Sequence, residues 1–386
     1  MRGAPRGVVA GCALGVTSGW NFGNVGGIAS ELGRSYGVGL ATVGLLTTAM
    51  VVTHVAIQIP GGKASDRFGP ARAGSIALVV LCAGNALALA APEAAVGIGA
   101  RAIVGIGTGL AFISGSALVR ESGGSPLAQG VFGGIALAPG GLALALVPQV
   151  EEAVGWRAPY WTALGLAALA LLVVLASRPG ESRARPAGRG AIAPDRELVR
   201  LALLYTASYG LGVVVANWVV ELLQRHSDLS DHAAAAAGAL TLLLVVVSRP
   251  LGGWILMNSP RRARAAVAAS ILAGSLGTLA LVASDPAWLA VAGAVLVGLG
   301  AGIPFSPAFT GAAAIRPAAP AAAVGAVNSA ANFAVLAGTP LVGLSFSLPG
   351  DGRLGFAALA LLWLASLTAL PSQRSLGVVS RTAASP

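Results

Sequence analysis

Few side chains in this sequence can do chemistry, and most of those lie inside long apolar stretches, where an unpaired polar group is costly. Arg101 and Arg249 are the cations in such positions. A guanidinium is always charged and presents a planar fork of donors that fits oxyanions, so these two point to recognition of a negative group. Thr17, Asn21 and Asn24 fall at i, i+4 and i+7, on one helical face beside Trp20, which makes a strip of amide donors and acceptors. His54 and Gln58 share a face by the same spacing, as do Asn328 and Asn332, and Asn217 with Trp218 adds a further polar pair. His54 is the one deeply placed group of a type that titrates near neutrality, which makes it the candidate to carry a coupling proton. Facilitated diffusion or exchange needs no such group and stays open. No Asp or Glu lies deep within an apolar segment.

Such a set suits binding and passing a small polar or anionic solute, with interhelical hydrogen bonding as the competing role for each amide. Arg101 lies about seven residues, or about 10 Å, inside its segment, so it either faces a cavity or snorkels outward; the cavity is the expectation. Arg249 lies near the other end of its own segment, where lipid phosphates compete for it. The parts for bond-making chemistry are missing. There is no phosphate-binding Gly-Lys loop, no metal-ligand cluster within an apolar segment and no nucleophile beside a base, so neither an enzyme nor a cofactor is expected. The stretch HSDLSDH offers His226, Asp228, Asp231 and His232, but it is short and ends where the next helix needs an N-cap, so no metal is assigned to it. No filter-like sequence or row of pore-lining charge argues for a channel.

The elements that position these residues follow from composition. Of 386 residues, 56% are hydrophobic and only 10% charged, with a mean hydropathy of +0.81. A soluble domain cannot bury that much, so the chain reads as an all-α membrane protein. At about twenty residues per span, apolar segments fall at 8–30, 40–60, 73–91, 94–117, 127–149 and 159–177, then at 198–220, 233–257, 265–283, 288–310, 323–345 and 354–371. Residues 1–177 thus form an N-terminal six-helix bundle and 198–386 a second one with a short tail, joined by an Arg-, Pro- and Gly-rich linker at 178–197. The net charge of +10 is carried in short loops and not on one face, which fits cytoplasmic loops better than nucleic-acid binding. Only Arg34, Arg157, Arg225 and Arg353 fall in the alternate, outer loops, so both termini are expected inside. Heavy use of Arg, Ala and Gly, with Lys63 as the single lysine, points to a bacterial plasma membrane. Cys12 and Cys82 read as small residues within apolar segments.

The stretch QIPGGKASDRFGPARAG, from Gln58 to Gly74, reads as a tight turn between the second and third spans, with Pro60 helping to end the incoming helix and Gly61 and Gly62 allowing close backbone approach. Asp66 can pair with Arg67 or cap a neighbouring helix. Gly62, Asp66, Arg67, Gly69 and Arg72 resemble the signature between helices 2 and 3 of the major facilitator superfamily. Arg101, followed by Gly105, Gly107 and Gly109, resembles the superfamily's fourth helix, and SRPLGGWILMNSPRRAR, from Ser248 to Arg264, looks like a second copy of the turn, with Met257 where the first has Asp66. The resemblance implies twelve transmembrane helices in two pseudo-symmetric bundles. It also implies secondary transport of a small-molecule substrate by alternating access, and a gating role for the turn. The partners expected are the lipid bilayer and a coupling proton or counter-ion, with no nucleic acid, and the chain is expected to be a monomer. Arg249, followed by Gly252 and Gly253, resembles the nitrate/nitrite porter branch, but the matching position on the second helix is Gln58. In the fifth span, Ala138 precedes Pro139 where drug:proton antiporters carry Gly. Small-anion or metabolite transport therefore leads, and efflux of amphipathic compounds is the alternative.

Overall fold

The computed structural model describes residues 4–177 and 195–376. Most of the expected linker and most of the expected tail lie outside the described residues. Within them the chain is helical: α1 (Ala4–Gly23), α2 (Ala29–Tyr36), α3 (Leu40–Phe68), α4 (Pro70–Ala88), α5 (Ala94–Glu121), α6 (Pro126–Val154), α7 (Ala158–Ser177), α8 (Arg196–Tyr205), α9 (Gly212–His226), α10 (Asp231–Asn258), α11 (Ala263–Ala283), α12 (Ala287–Gly302), α13 (Phe305–Ile315), α14 (Pro320–Ser345) and α15 (Arg353–Ala365). Arg196 and Glu197, read from sequence as linker, instead open α8, where Asp195 accepts from Glu197 N at 2.8 Å.

Nine segments of the described residues are long and apolar enough to cross a membrane. One of them, Pro126–Ser177, is 52 residues long and holds two helices, α6 and α7, separated by a 3-10 turn at Gly155–Arg157. With α1 and with α15, which a 3-10 turn extends through Ser366–Ala369, these make the twelve passages expected. Two passages are composite. A π-helical turn, Thr206–Leu211, joins α8 to α9, and Ile303 and Pro304 separate α12 from α13.

One expectation is corrected. Pro60 does not end a helix: α3 runs through it to Phe68, so Gly62, Lys63, Asp66 and Arg67 ride on the last turns of a helix. Pro60 is exposed while Gly61 and Gly62 are buried. Its ring therefore faces outward, and helices in a bilayer tolerate such a proline because their other backbone bonds persist. The turn itself shrinks to Gly69, whose φ of 86° suits a residue without Cβ, and Pro70 occupies the first position of α4. Asp66, only 6% exposed, is thus a buried carboxylate within a helix that the shorter predicted span left out.

The chain divides into two compact units. The first comprises Met1–Gly124, Ile135–Gly190 and Ala318–Gly325; the second comprises Ser125–Gly134, Ala191–Pro317 and Ala326–Pro386. Two helices contribute to both: α6 opens in the second unit, and α14 opens in the first. The first unit packs Leu14, Met50, Leu78, Leu81 and Val104 in one apolar cluster and Trp20, Leu32, Leu46, Trp156 and Tyr160 in another. The second unit buries Tyr205, Phe305, Phe309, Phe356 and Trp363.

Candidate functional site

In the first unit, Arg101 is fully buried and turned inward, so the snorkelling alternative is set aside. Its Nη2 donates to the Asn21 backbone carbonyl at 2.6 Å and sits 2.8 Å from Met50 Sδ. Its Nη1 reaches Asn21 Oδ1 and Asn24 Oδ1, each at 3.4 Å. The reason lies in α1. Asn21 is in its last turn, where carbonyls lack intrahelical donors and the helix dipole is negative, so a buried cation is favoured there. Asn85 of α4 joins by donating to Asn21 Oδ1 at 3.5 Å and to Leu81 O at 2.9 Å. Asn24 donates to Pro159 O at 2.9 Å, which ties α1 to α7. Among the described residues, no carboxylate pairs with Arg101, and its Nε has no partner.

His54 and Gln58 face each other as their spacing implied. Gln58 Nε2 lies 2.7 Å from His54 Nε2, and His54 Nδ1 lies 3.0 Å from Thr108 Oγ1. An amide nitrogen only donates, so His54 Nε2 accepts and Nδ1 carries the ring proton, which it donates to Thr108. Thr108 in turn donates to Gly105 O at 3.0 Å. This chain of bonds describes a neutral imidazole, and it leaves Gln58 Oε1 buried without a partner.

In the second unit, Arg249 is 2% exposed and does not reach outward to lipid phosphates. Its Nη1 donates to Gly133 O at 2.6 Å and its Nη2 to Tyr205 Oη at 3.4 Å. The guanidinium carbon sits 4.5 Å from the centroid of the Phe305 ring and 5.1 Å from that of Tyr209. The π-helical turn begins just after Tyr205 and carries Tyr209, and the two rings stack at 5.2 Å. Asn217 is exposed and donates to Thr339 Oγ1 at 3.0 Å, while Trp218 Nε1 donates to Thr339 O at 2.8 Å; together they fasten α9 to α14. Asn328 and Asn332 are buried on α14, and Asn332 donates to Asn328 O at 2.9 Å. Ser230 in the HSDLSDH stretch caps α10, accepting from Ala233 N at 3.3 Å.

The signature residues build a seam. Asp66 accepts from Ala321 N at 2.9 Å and from Ala322 N at 3.0 Å, which caps the first turn of α14 and leaves Arg67 exposed. Gly62 makes this possible, because a Cβ there would stand 2.5 Å from Ala322 Cα. Arg67 lies over the Phe68 ring at 5.1 Å, and Arg72 is exposed on the first turn of α4. The second copy builds a matching seam between α10 and α6, where a Cβ on Gly253 would stand 2.8 Å from Leu127 Cα. Met257 there is 42% exposed and caps nothing; Ser125 Oγ accepts from Ala128 N at 3.2 Å instead. Sequence reasoning missed Asn85, Thr108, Tyr205, Tyr209 and Phe305. Asn85 was open to discovery as the one amide of its span, whereas the aromatic residues look like ordinary core.

Many solved structures share this fold, and three transporters among them serve for comparison. The human organic anion transporter MFSD10 (TETRAN) superposes with a TM-score of 0.73 at 17% identity, covering 95% of this chain and 99% of its own. The E. coli fucose:proton symporter FucP gives 0.71 at 14% identity, covering 96% and 98%. The proton:xylose symporter XylE gives 0.72 at 15% identity, covering 95% and 94%. At these identities the likeness is one of fold. No protein of curated function matches the sequence significantly. The sequence itself matches the model of the Major Facilitator Superfamily over residues 11–340, and the chain belongs to that family of membrane transporters.

Proposed function

We propose that this transporter moves a small anionic solute or small metabolite across a bacterial plasma membrane by alternating access, with both termini in the cytoplasm. In this reading, residues 1–177 and 198–386 act as two rocking bundles joined by the linker 178–197, and the protein works as a monomer. The observation that carries the substrate class is Arg101. It is a fully buried cation held by amides, a carbonyl and a thioether, with no carboxylate among the described residues to neutralise it. Such a site favours an incoming anion and disfavours a lipophilic cation. Asn21 and Asn24 supply further polar groups beside it, and the neutral His54–Gln58 pair leaves one acceptor for a hydroxyl. Asp66 is the gating residue, holding the start of α14 in one state of the cycle.

Thermal unfolding of the purified protein against a panel of small inorganic anions, carboxylates, sugars and lipophilic cations tests this. A ligand at a hundred times its dissociation constant adds about 2.7 kcal/mol. Stabilisation by an anion, lost in Arg101→Gln, is expected. Stabilisation by lipophilic cations alone, kept in Arg101→Gln, would replace this reading with efflux of amphipathic compounds.

A further inference from the structure

We propose that Thr108 and His54 form a one-way hydrogen-bond relay that positions the Gln58 amide, so that Gln58 Oε1 receives a hydroxyl of the solute and selects a hydroxylated carboxylate. The carboxylate half of that class rests on the anion reading of Arg101 above, whereas the relay rests on its own geometry. Thr108 has one hydroxyl hydrogen, and it is on Gly105 O at 3.0 Å. Its oxygen is therefore the acceptor for His54, 3.0 Å away, and His54 Nδ1 must hold the ring proton. That leaves His54 Nε2 with a lone pair, which takes a hydrogen from Gln58 Nε2 at 2.7 Å. The amide is thereby held in one orientation, and its Oε1 is buried with no partner. Reversing one bond reverses them all. A Thr108 hydrogen given to Nδ1 would move the ring proton to Nε2, turn the Gln58 amide over and leave its NH2 free instead.

The frame around the relay is stiff, and all of it belongs to the first unit. A Cβ on Gly109 would stand 2.7 Å from His54 O, so α3 and α5 touch backbone to backbone beside Thr108. The Phe22 ring meets the imidazole in a T-shaped contact, with centroids 5.0 Å apart. Both nitrogens of His54 are thus engaged within the protein. Its work is to position Gln58, and Gln58 is the group that touches solute. A buried acceptor without a donor is costly, and a solute that brings an O–H recovers that cost. The spacing sets the length of the solute. Met50 Sδ lies 2.8 Å from Arg101 Nη2, and Gln58 stands two turns further along α3, about 12 Å away by helical rise. A carboxylate at the unpartnered Nε of Arg101 and a hydroxyl at Gln58 therefore belong to one chain of sugar-acid length.

Binding to the purified full chain is measured for gluconate, hexanoate and sorbitol, which present a carboxylate with hydroxyls, a carboxylate alone and hydroxyls alone. Gluconate should bind about tenfold more tightly than hexanoate, the factor expected of one hydrogen bond. Thr108→Val keeps the shape of the side chain but removes the acceptor for Nδ1–H, so the relay turns over and the preference disappears. Thr108→Ser keeps the hydroxyl and should keep the preference. The tautomer is read independently by imidazole nitrogen NMR in a His226→Gln, His232→Gln background, where His54 is the one histidine left. Nδ1–H is expected in the parent and Nε2–H in Thr108→Val. An Nε2–H tautomer in the parent, equal or absent binding of gluconate and hexanoate together with no binding of sorbitol, or a gluconate preference kept in Thr108→Val would each overturn the proposal. Binding of gluconate and sorbitol alike, dependent on Thr108 but untouched by Arg101→Gln, would keep the relay and remove the anion reading alone. Should Thr108→Val not insert, the parent's tautomer and its ratio of gluconate to hexanoate affinity still decide.

Discussion

Asp66→Asn isolates one charge at a seam whose geometry is known. The carboxylate accepts two amide hydrogens of α14, at 2.9 and 3.0 Å, and is almost fully buried. Asparagine keeps the shape and one acceptor oxygen, but its NH2 group then faces an amide donor. One hydrogen bond to a charged group is lost, worth about 1.5–3 kcal/mol. That shifts the equilibrium between closed and open seam by about tenfold to over a hundredfold. Hydrogen exchange reads the shift directly, because amide protection follows the free energy of local opening. The amides at 318–325 should exchange faster by that factor, those in the middle of α11 should not change, and transport should fall at equal expression. Unchanged exchange at 318–325 would show that Asp66 is no more than a surface cap.

Gly62→Val and Gly253→Val should each abolish transport, since a Cβ would meet the backbone of α14 or α6, while Gly44→Ala, with open space around it, should be silent in the same uptake assay. Ser230→Ala removes the α10 N-cap and should cost about 1 kcal/mol, read as a lower midpoint of thermal unfolding. A single cysteine at Gly350 should react with an impermeant reagent in intact cells and one at Gly188 should not, if both termini are cytoplasmic; the reverse pattern would invert the topology. Arg101→Gln should weaken anion binding by about tenfold to over a hundredfold, with partial rescue by Arg101→Lys.

The architecture was legible because hydropathy in a bilayer is nearly sufficient: an apolar run of about twenty residues has few alternatives to a helix. The close approach at Gly62 was legible too, as was the cap formed by Asp66, because small residues beside a carboxylate have few other uses at a helix end. Pro60 misled, because proline breaks helices in water more readily than in lipid. The breaks within two passages, at Thr206–Leu211 and at Ile303, left no mark in hydropathy. The surroundings of Arg249 were hidden for a different reason. Tyr205, Tyr209 and Phe305 read as core one by one, and only the three-dimensional arrangement assembles them around a cation.

The central claim is that a buried, unneutralised Arg101 selects an anion for transport. Flux of labelled nitrate, nitrite, cyanate and small carboxylates into proteoliposomes, beside efflux of a lipophilic cation, tests it most directly. The account predicts saturable flux of at least one anion, lost in Arg101→Gln at equal reconstitution. Cation efflux without any anion flux, unaltered by Arg101→Gln, would contradict it.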